Sequence, residues 1–116
     1  MKIYGQSTCK TTRKVRAWLK DHNIDYDFHD FRKVGVSAEK LQEWDNKVGY
    51  QVFLNKKSTG WRQLDPQIKE AAKSSAGTLA LLEQNSGIIK RAVVEDDDFL
   101  FFGFDEKIYK NHFLNN

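Results

Sequence analysis

The opening of the chain restricts the fold most, because it combines two kinds of apolar periodicity. Lys2–Tyr4 is a short apolar run typical of a buried strand, and Gly5–Thr8 has the composition of a turn. Lys10–Asn23 carries apolar residues at helical spacing, whereas Ile24–Phe31 alternates apolar and polar residues like a half-exposed strand. This order predicts two parallel strands joined by a right-handed helical crossover.

The middle of the chain is predicted to be helical. Ser37 is a suitable N-cap for a helix that carries an apolar face further along. Two further helices are predicted at Pro66–Lys73, where proline occupies the favoured first turn, and at Ser75–Gln84. We therefore assign residues 37–87 to a helical insertion.

The last part of the chain predicts a hairpin followed by a helix. Ile88–Val94 and Phe99–Phe102 are apolar runs separated by the acidic stretch Glu95–Asp98. Asp105–Phe113 then has an N-cap residue and helical spacing. The predicted class is α/β, a thioredoxin-like fold (β-α-β, helical insertion, β-β-α) with a mixed sheet, in a single domain spanning residues 1–116.

Composition bears on compartment and partners. A chain of 116 residues with one cysteine forms no internal disulfide, which is typical of a reducing cytoplasm. We expect no secretory leader and no membrane contact, because no stretch approaches the roughly 20 apolar residues of a membrane span. The net charge of +3 is mild, so we expect no nucleic-acid partner.

Cys9 is the candidate nucleophile. A thiol at a helix N-terminus faces unpaired N–H groups and the positive end of the helix dipole, and both favour the thiolate. Lys10 and Arg13 add positive charge nearby. The alternative is a small buried residue at a strand–helix junction. The three histidines have no metal-ligand spacing, so no metal site is predicted.

Several segments resemble the glutaredoxin-type arsenate reductase family, to which the Spx regulators are also related. The resemblance rests on "IYGQSTCKTTRKVRAWL", "FLNKKSTGWRQLD", "GIIKRAVV" and "LFFGFDEKIYKNHF", and it extends over most of the chain. The YffB-like branch is the most similar. The resemblance implies that Cys9 is the family's nucleophilic cysteine.

Thr12 occupies the position where dithiol oxidoreductases and the redox-switched Spx proteins carry a second cysteine. No second thiol within the chain is therefore available to resolve a mixed disulfide on Cys9. The resemblance implies that glutathione acts as an external co-substrate, with no cofactor held by the protein. The predicted function is a glutathione-dependent thiol reductase acting on a small thiol or disulfide substrate.

The remaining predicted site residues bind substrate or glutathione. Arg91 matches an arginine that arsenate reductases of the family place near the thiol, where it would bind an oxyanion or a carboxylate. The two other family arginines correspond to Asn55 and a position near Leu100, so arsenate reduction is not expected. Lys57 is predicted to supply charge in place of the first.

Ala92 stands where thioredoxin-like proteins place a cis-proline opposite the thiol. Cis peptides before other residues are rare, so the sequence leaves open whether the Arg91–Ala92 bond is cis or trans. Two alternatives to the reductase also stay open. One is a Spx-like transcriptional regulator that binds RNA polymerase as a protein partner, and the other is a degenerate arsenate reductase homologue without catalysis.

Overall fold

The computed structural model describes residues 1–114, and its sheet has four strands in the order β2-β1-β3-β4. The strands are β1 (Lys2–Gly5), β2 (Asp27–Asp30), β3 (Val93–Asp96) and β4 (Phe99–Phe102). The first two are connected through helix α1 (Lys10–Asp21). The predicted α/β class with a mixed, thioredoxin-like sheet is confirmed.

The chain divides into two compact units. The first comprises Met1–Phe28 together with the segment from Arg91 onward, and the second comprises His29–Lys90. The predicted insertion, residues 37–87, falls within the second unit.

The first unit is organised by the register of its antiparallel strands. β1 pairs with β3 so that Tyr4 lies opposite Val93, and β3 pairs with β4 so that Val93 lies opposite Phe102. Asp97 forms the hairpin turn with a positive φ of 53°, a conformation that aspartate tolerates better than most residues. The register fixes the position of the residues immediately before β3.

Helices α1 and α8 (Glu106–Phe113) supply the rest of the first core. The Asp105 side chain accepts a hydrogen bond from the Ile108 N–H and caps α8, as predicted. Within the core, the buried Tyr109 hydroxyl donates to the Gly103 carbonyl at 2.6 Å. The buried cluster consists of Ile3, Val15, Trp18, Leu19, Ala92, Val94 and Tyr109.

The second unit is helical. Its helices are α2 (Phe31–Val34), α3 (Ala38–Val48), α4 (Tyr50–Phe53), α5 (Thr59–Arg62), α6 (Pro66–Ala71) and α7 (Ser75–Gln84). Ser37 caps α3 as predicted. The Asp45 carboxylate connects three of these helices, because it accepts the Tyr50 N–H at 2.7 Å and the Ser75 hydroxyl. No helix within residues 1–114 is long and apolar enough to cross a membrane.

Two predicted strands were too long. The strand predicted at Ile24–Phe31 is reduced to β2, because the Ile24 N–H bonds back to the Leu19 carbonyl and the Asp30 carboxylate caps α2. The strand predicted at Ile88–Val94 begins only at Val93. Its first residues lie in a 3₁₀ turn and in an isolated bridge within the second unit.

Candidate functional site

Cys9 occupies the N-cap of α1. Its backbone is extended, with φ −77° and ψ 129°, and its carbonyl accepts the Arg13 N–H at 3.0 Å. The Cys9 N–H donates to the Gln6 carbonyl at 2.9 Å, which closes the turn after β1. The partly exposed thiol therefore sits at the end of a twelve-residue helix where backbone N–H groups are unpaired.

The surroundings of the thiol favour its ionised form. Burial by itself raises the pKa of Cys9. Hydrogen bonds from the Thr12 N–H, the Arg91 guanidinium and the Thr12 hydroxyl, together with the Arg91 charge, outweigh burial and lower the pKa from 9.0 to about 7. About half of the molecules then carry a thiolate at neutral pH.

Thr12 is held against the turn that precedes Cys9. Its side chain is fully buried, and its hydroxyl oxygen also accepts the Gln6 N–H at 3.4 Å. A Cβ atom at Gly5 would lie 2.5 Å from that oxygen, so only glycine allows this close approach. Gly5 was not among the predicted site residues, because the sequence showed it only as part of a turn.

Arg91 and Ala92 directly precede β3, and the Arg91 side chain contacts the Cys9 thiol. The Arg91–Ala92 peptide is cis, which resolves the alternative that the sequence left open. Ala92 is fully buried in the first core, and its carbonyl accepts the Gly103 N–H at 2.8 Å. Arg91 therefore lies directly before a buried, hydrogen-bonded residue that leads into β3.

The other predicted binding residues have different surroundings. Lys10 is exposed, and the Arg13 guanidinium donates to the Thr8 carbonyl at 2.9 Å. The thiol contacts that lower the pKa come from Thr12 and Arg91. Lys57 belongs to the second unit, where it is exposed and its N–H donates to the Asn55 side-chain oxygen at 3.1 Å.

Comparison with known proteins identifies the family. The model of the ArsC family matches residues 4–112. The chain belongs to the ArsC family. An uncharacterized protein of Haemophilus influenzae is 37% identical over 96% of both chains. A Spx global transcriptional regulator of Streptococcus pyogenes is 26% identical, over 90% of this chain and 78% of the relative.

Solved structures of ArsC-like proteins share the fold. A protein named YFFB is 36% identical, with a TM-score of 0.88 and coverage of 93% of this chain and 94% of that one. An arsenate reductase (ArsC) related protein from Brucella melitensis is 34% identical, with a TM-score of 0.74 and coverage of 97% and 93%. Enzyme-like and regulator-like proteins are thus both among the relatives.

This ArsC-family site can react through one activated thiol, that of Cys9. A partly exposed thiolate beside a guanidinium can attack a sulfur that carries an anionic substituent, because the cation attracts the substituent while the sulfur reacts. Within residues 1–114 no group of three or more His, Cys, Asp or Glu side chains is arranged to hold a metal ion.

Proposed function

We propose that the protein is a glutathione-dependent thiol reductase that works through Cys9 alone. The observation that carries this proposal is the set of donors around the thiol, the Thr12 N–H, the Thr12 hydroxyl and the Arg91 guanidinium. A nucleophile that is half ionised near pH 7 combines a large thiolate fraction with a high intrinsic reactivity per thiolate. Such a pKa suits thiol–disulfide exchange at neutral pH.

The reaction takes two exchanges. The Cys9 thiolate attacks the glutathione sulfur of a mixed disulfide GS–SR; the Cys9–SG bond forms, the GS–SR bond breaks, and RS⁻ leaves and takes a proton from water. A glutathione thiolate then attacks the glutathione sulfur on Cys9, which releases the Cys9 thiolate and oxidised glutathione. The net reaction converts GS–SR and one glutathione thiol into RSH and oxidised glutathione, so one disulfide bond is consumed and one is formed.

Because position 12 is a threonine, the reaction uses Cys9 as its only thiol. A second cysteine at this position would compete with external glutathione for the Cys9–SG bond, whereas threonine donates hydrogen bonds and does not attack sulfur. Arg91 stabilises the thiolate and holds a carboxylate of the glutathionyl group. Lys10 and Arg13, which follow Cys9 in the chain, supply further positive charge for the same anionic ligand. Lys57 and Ala92 stay predicted binding residues.

The cellular setting follows from the co-substrate. A reaction that consumes reduced glutathione needs a compartment where glutathione is kept reduced, so we place the protein in the cytoplasm. Glutathione is used up as a substrate, and no bound cofactor takes part. Arsenate is not the proposed substrate, because only one of the three family arginines is present.

The test is turnover of a glutathione mixed disulfide. The wild-type protein is assayed with the mixed disulfide of 2-mercaptoethanol and glutathione, with reduced glutathione in excess and oxidised glutathione as the measured product. Cys9→Ser is the control for the uncatalysed exchange. We expect turnover above that control and a single glutathione adduct on Cys9 by mass spectrometry; an unmodified Cys9 and rates equal to the control would refute the proposal.

A second candidate function is a transcriptional regulator, and the Spx relatives that match 90% of this chain favour it. In this case the protein would bind RNA polymerase, with Thr12 removing the redox switch that a second cysteine provides. Purified RNA polymerase is mixed with the protein and separated by size exclusion. Co-elution together with no disulfide turnover would favour the regulator, and neither activity would favour a degenerate, non-catalytic homologue.

A further inference from the structure

A cleft in the second unit is lined by positively charged side chains and by no negatively charged ones. It encloses about 580 Å³, and none of its ten lining residues is acidic. Its cationic residues are Lys56, Lys57, Lys73 and Lys90. Four lysines in one cleft exceed the net charge of the whole chain, which is +3. Surfaces that serve only solubility usually mix both signs, so this concentration of charge requires an explanation.

Backbone hydrogen bonds set two of the lysine-bearing segments side by side. The Lys90 N–H donates to the Phe53 carbonyl at 2.9 Å, and the Asn55 N–H donates to the Ile88 carbonyl at 2.8 Å. These bonds hold the segment that ends α4 against the segment that ends the second unit. The lysines therefore converge because of the fold, although they are distant in sequence.

The third lysine-bearing segment is also attached to the cleft. The Tyr50 hydroxyl donates to the Lys73 carbonyl at 3.0 Å, which ties the end of α6 to the start of α4. The backbone around the cleft is thus set by hydrogen bonds before a ligand arrives, and only the flexible lysine side chains need to be ordered on binding.

The charges of the cleft are only partly neutralised by the protein. The Lys73 ammonium lies 2.8 Å from the Glu70 carboxylate, but both side chains are about 70% exposed, so water and salt weaken this pair. The Lys56 ammonium lies 5.7 Å from the centre of the Trp61 ring. Within the described part of the chain, Lys57 and Lys90 form no ion pair.

We propose that this cleft binds an organic ligand carrying two or more phosphate groups, such as a nucleoside diphosphate. Ammonium groups act as compact point charges suited to phosphate, and the lining contains no arginine that would favour a planar carboxylate. The apolar side chains of Val52, Leu54 and Ala72 offer contact for the organic part. The volume lies within the usual range of small-molecule sites, about 300–1,000 Å³.

The test uses ADP, adenosine and inorganic pyrophosphate as probes in isothermal titration calorimetry with the full chain. The variant K73Q/K90Q removes two ammonium groups from the cleft, and K20Q/K33Q removes the same charge from exposed positions outside its lining. Each exposed ion pair at about 4 Å in water contributes roughly a factor of five, less with salt. We expect K73Q/K90Q to weaken ADP binding about tenfold and K20Q/K33Q to change it less than twofold.

Several results would overturn the proposal: no saturable binding of ADP, equal weakening by the two double variants, or adenosine binding as tightly as ADP. Pyrophosphate binding as tightly as ADP would overturn the contact with the organic part of the ligand. An acidic peptide is titrated in the same way, and binding tighter than that of ADP would overturn the phosphate ligand in favour of a protein segment. Lys57 is left intact because the sequence predicts that it binds the substrate of the reductase. The disulfide turnover of K73Q/K90Q is measured in parallel, so failure of one proposal is distinguishable from failure of the other.

Discussion

Replacing Arg91 by glutamine should raise the pKa of the Cys9 thiol from about 7 to about 8. Arg91 contributes both a hydrogen bond and a charge to the thiolate, whereas glutamine retains at most a neutral hydrogen bond. Burial continues to raise the pKa, and the two Thr12 donors continue to lower it.

The magnitude follows from the strength of the lost contact. A hydrogen bond to a charged group contributes about 1.5–3 kcal/mol, and a shift of one pKa unit corresponds to about 1.36 kcal/mol. The thiol is partly exposed, so the lower end of this range applies. At pH 7 the thiolate fraction should fall from about one half to about one tenth.

The rate of reaction responds less than the thiolate fraction. Nucleophilicity rises with pKa with a Brønsted coefficient of about 0.4–0.5, so each thiolate of the variant reacts roughly threefold faster. Exchange with a neutral disulfide should therefore slow only about twofold at pH 7, and above about pH 7.6 the variant should be the faster protein. This crossing of the two pH profiles distinguishes a raised pKa from a damaged site.

The assay is the pH dependence of thiolate absorbance at 240 nm and of exchange with hydroxyethyl disulfide, with Cys9→Ser as the blank. Arg13→Gln is the matched control, because the Arg13 guanidinium donates to the Thr8 carbonyl and carries the same charge. An equal rise of the Cys9 pKa in both variants would refute the role of direct contact. An unchanged pKa in Arg91→Gln would refute the role of Arg91 altogether.

Three further predictions concern single contacts. Thr12→Val keeps the N–H donor and loses the hydroxyl, so the pKa of Cys9 should rise by less than in Arg91→Gln in the same absorbance titration. Tyr109→Phe leaves the Gly103 carbonyl without its buried donor and should lower the free energy of unfolding by about 1–3 kcal/mol in urea denaturation. Asp45→Ala should lower the free energy of unfolding by about 1–3 kcal/mol in the same measurement, because the Tyr50 N–H loses its acceptor. Asp25 is exposed, so Asp25→Ala should lower it by less than about 0.5 kcal/mol. Equal losses of stability would contradict the role of the Asp45 hydrogen bonds.

Local patterns predicted the regular elements best. Ser75–Gln84 is a helix with the predicted bounds, and Asp105 caps the last helix as its side chain and position indicated. These features depend on residues within one or two turns of each other, and capping is a local interaction. Such elements can be predicted without knowing the rest of the fold.

Strand lengths were predicted less well, because pairing depends on distant residues. Ile88–Val94 has the composition of one strand, but its first part bonds to the Phe53–Asn55 segment and only its end joins β3. The lysine-lined cleft depends on the same bonds. No local pattern connects Lys90 with Tyr50 or Lys73, so the cleft could not be predicted from the sequence.

The position of the only cysteine at the start of a helix could be inferred without the fold, because the helical spacing begins directly after Cys9. Which groups contact the thiol depends on how distant segments pack together. Proximity in the chain favoured Lys10 and Arg13, and only the family resemblance pointed to Arg91. The contacts come from Thr12 and from Arg91, a residue far along the chain. The strand register accounts for the Arg91 contact. Because Tyr4 pairs with Val93, the residues just before β3 lie at the end of β1, next to the turn that leads to Cys9.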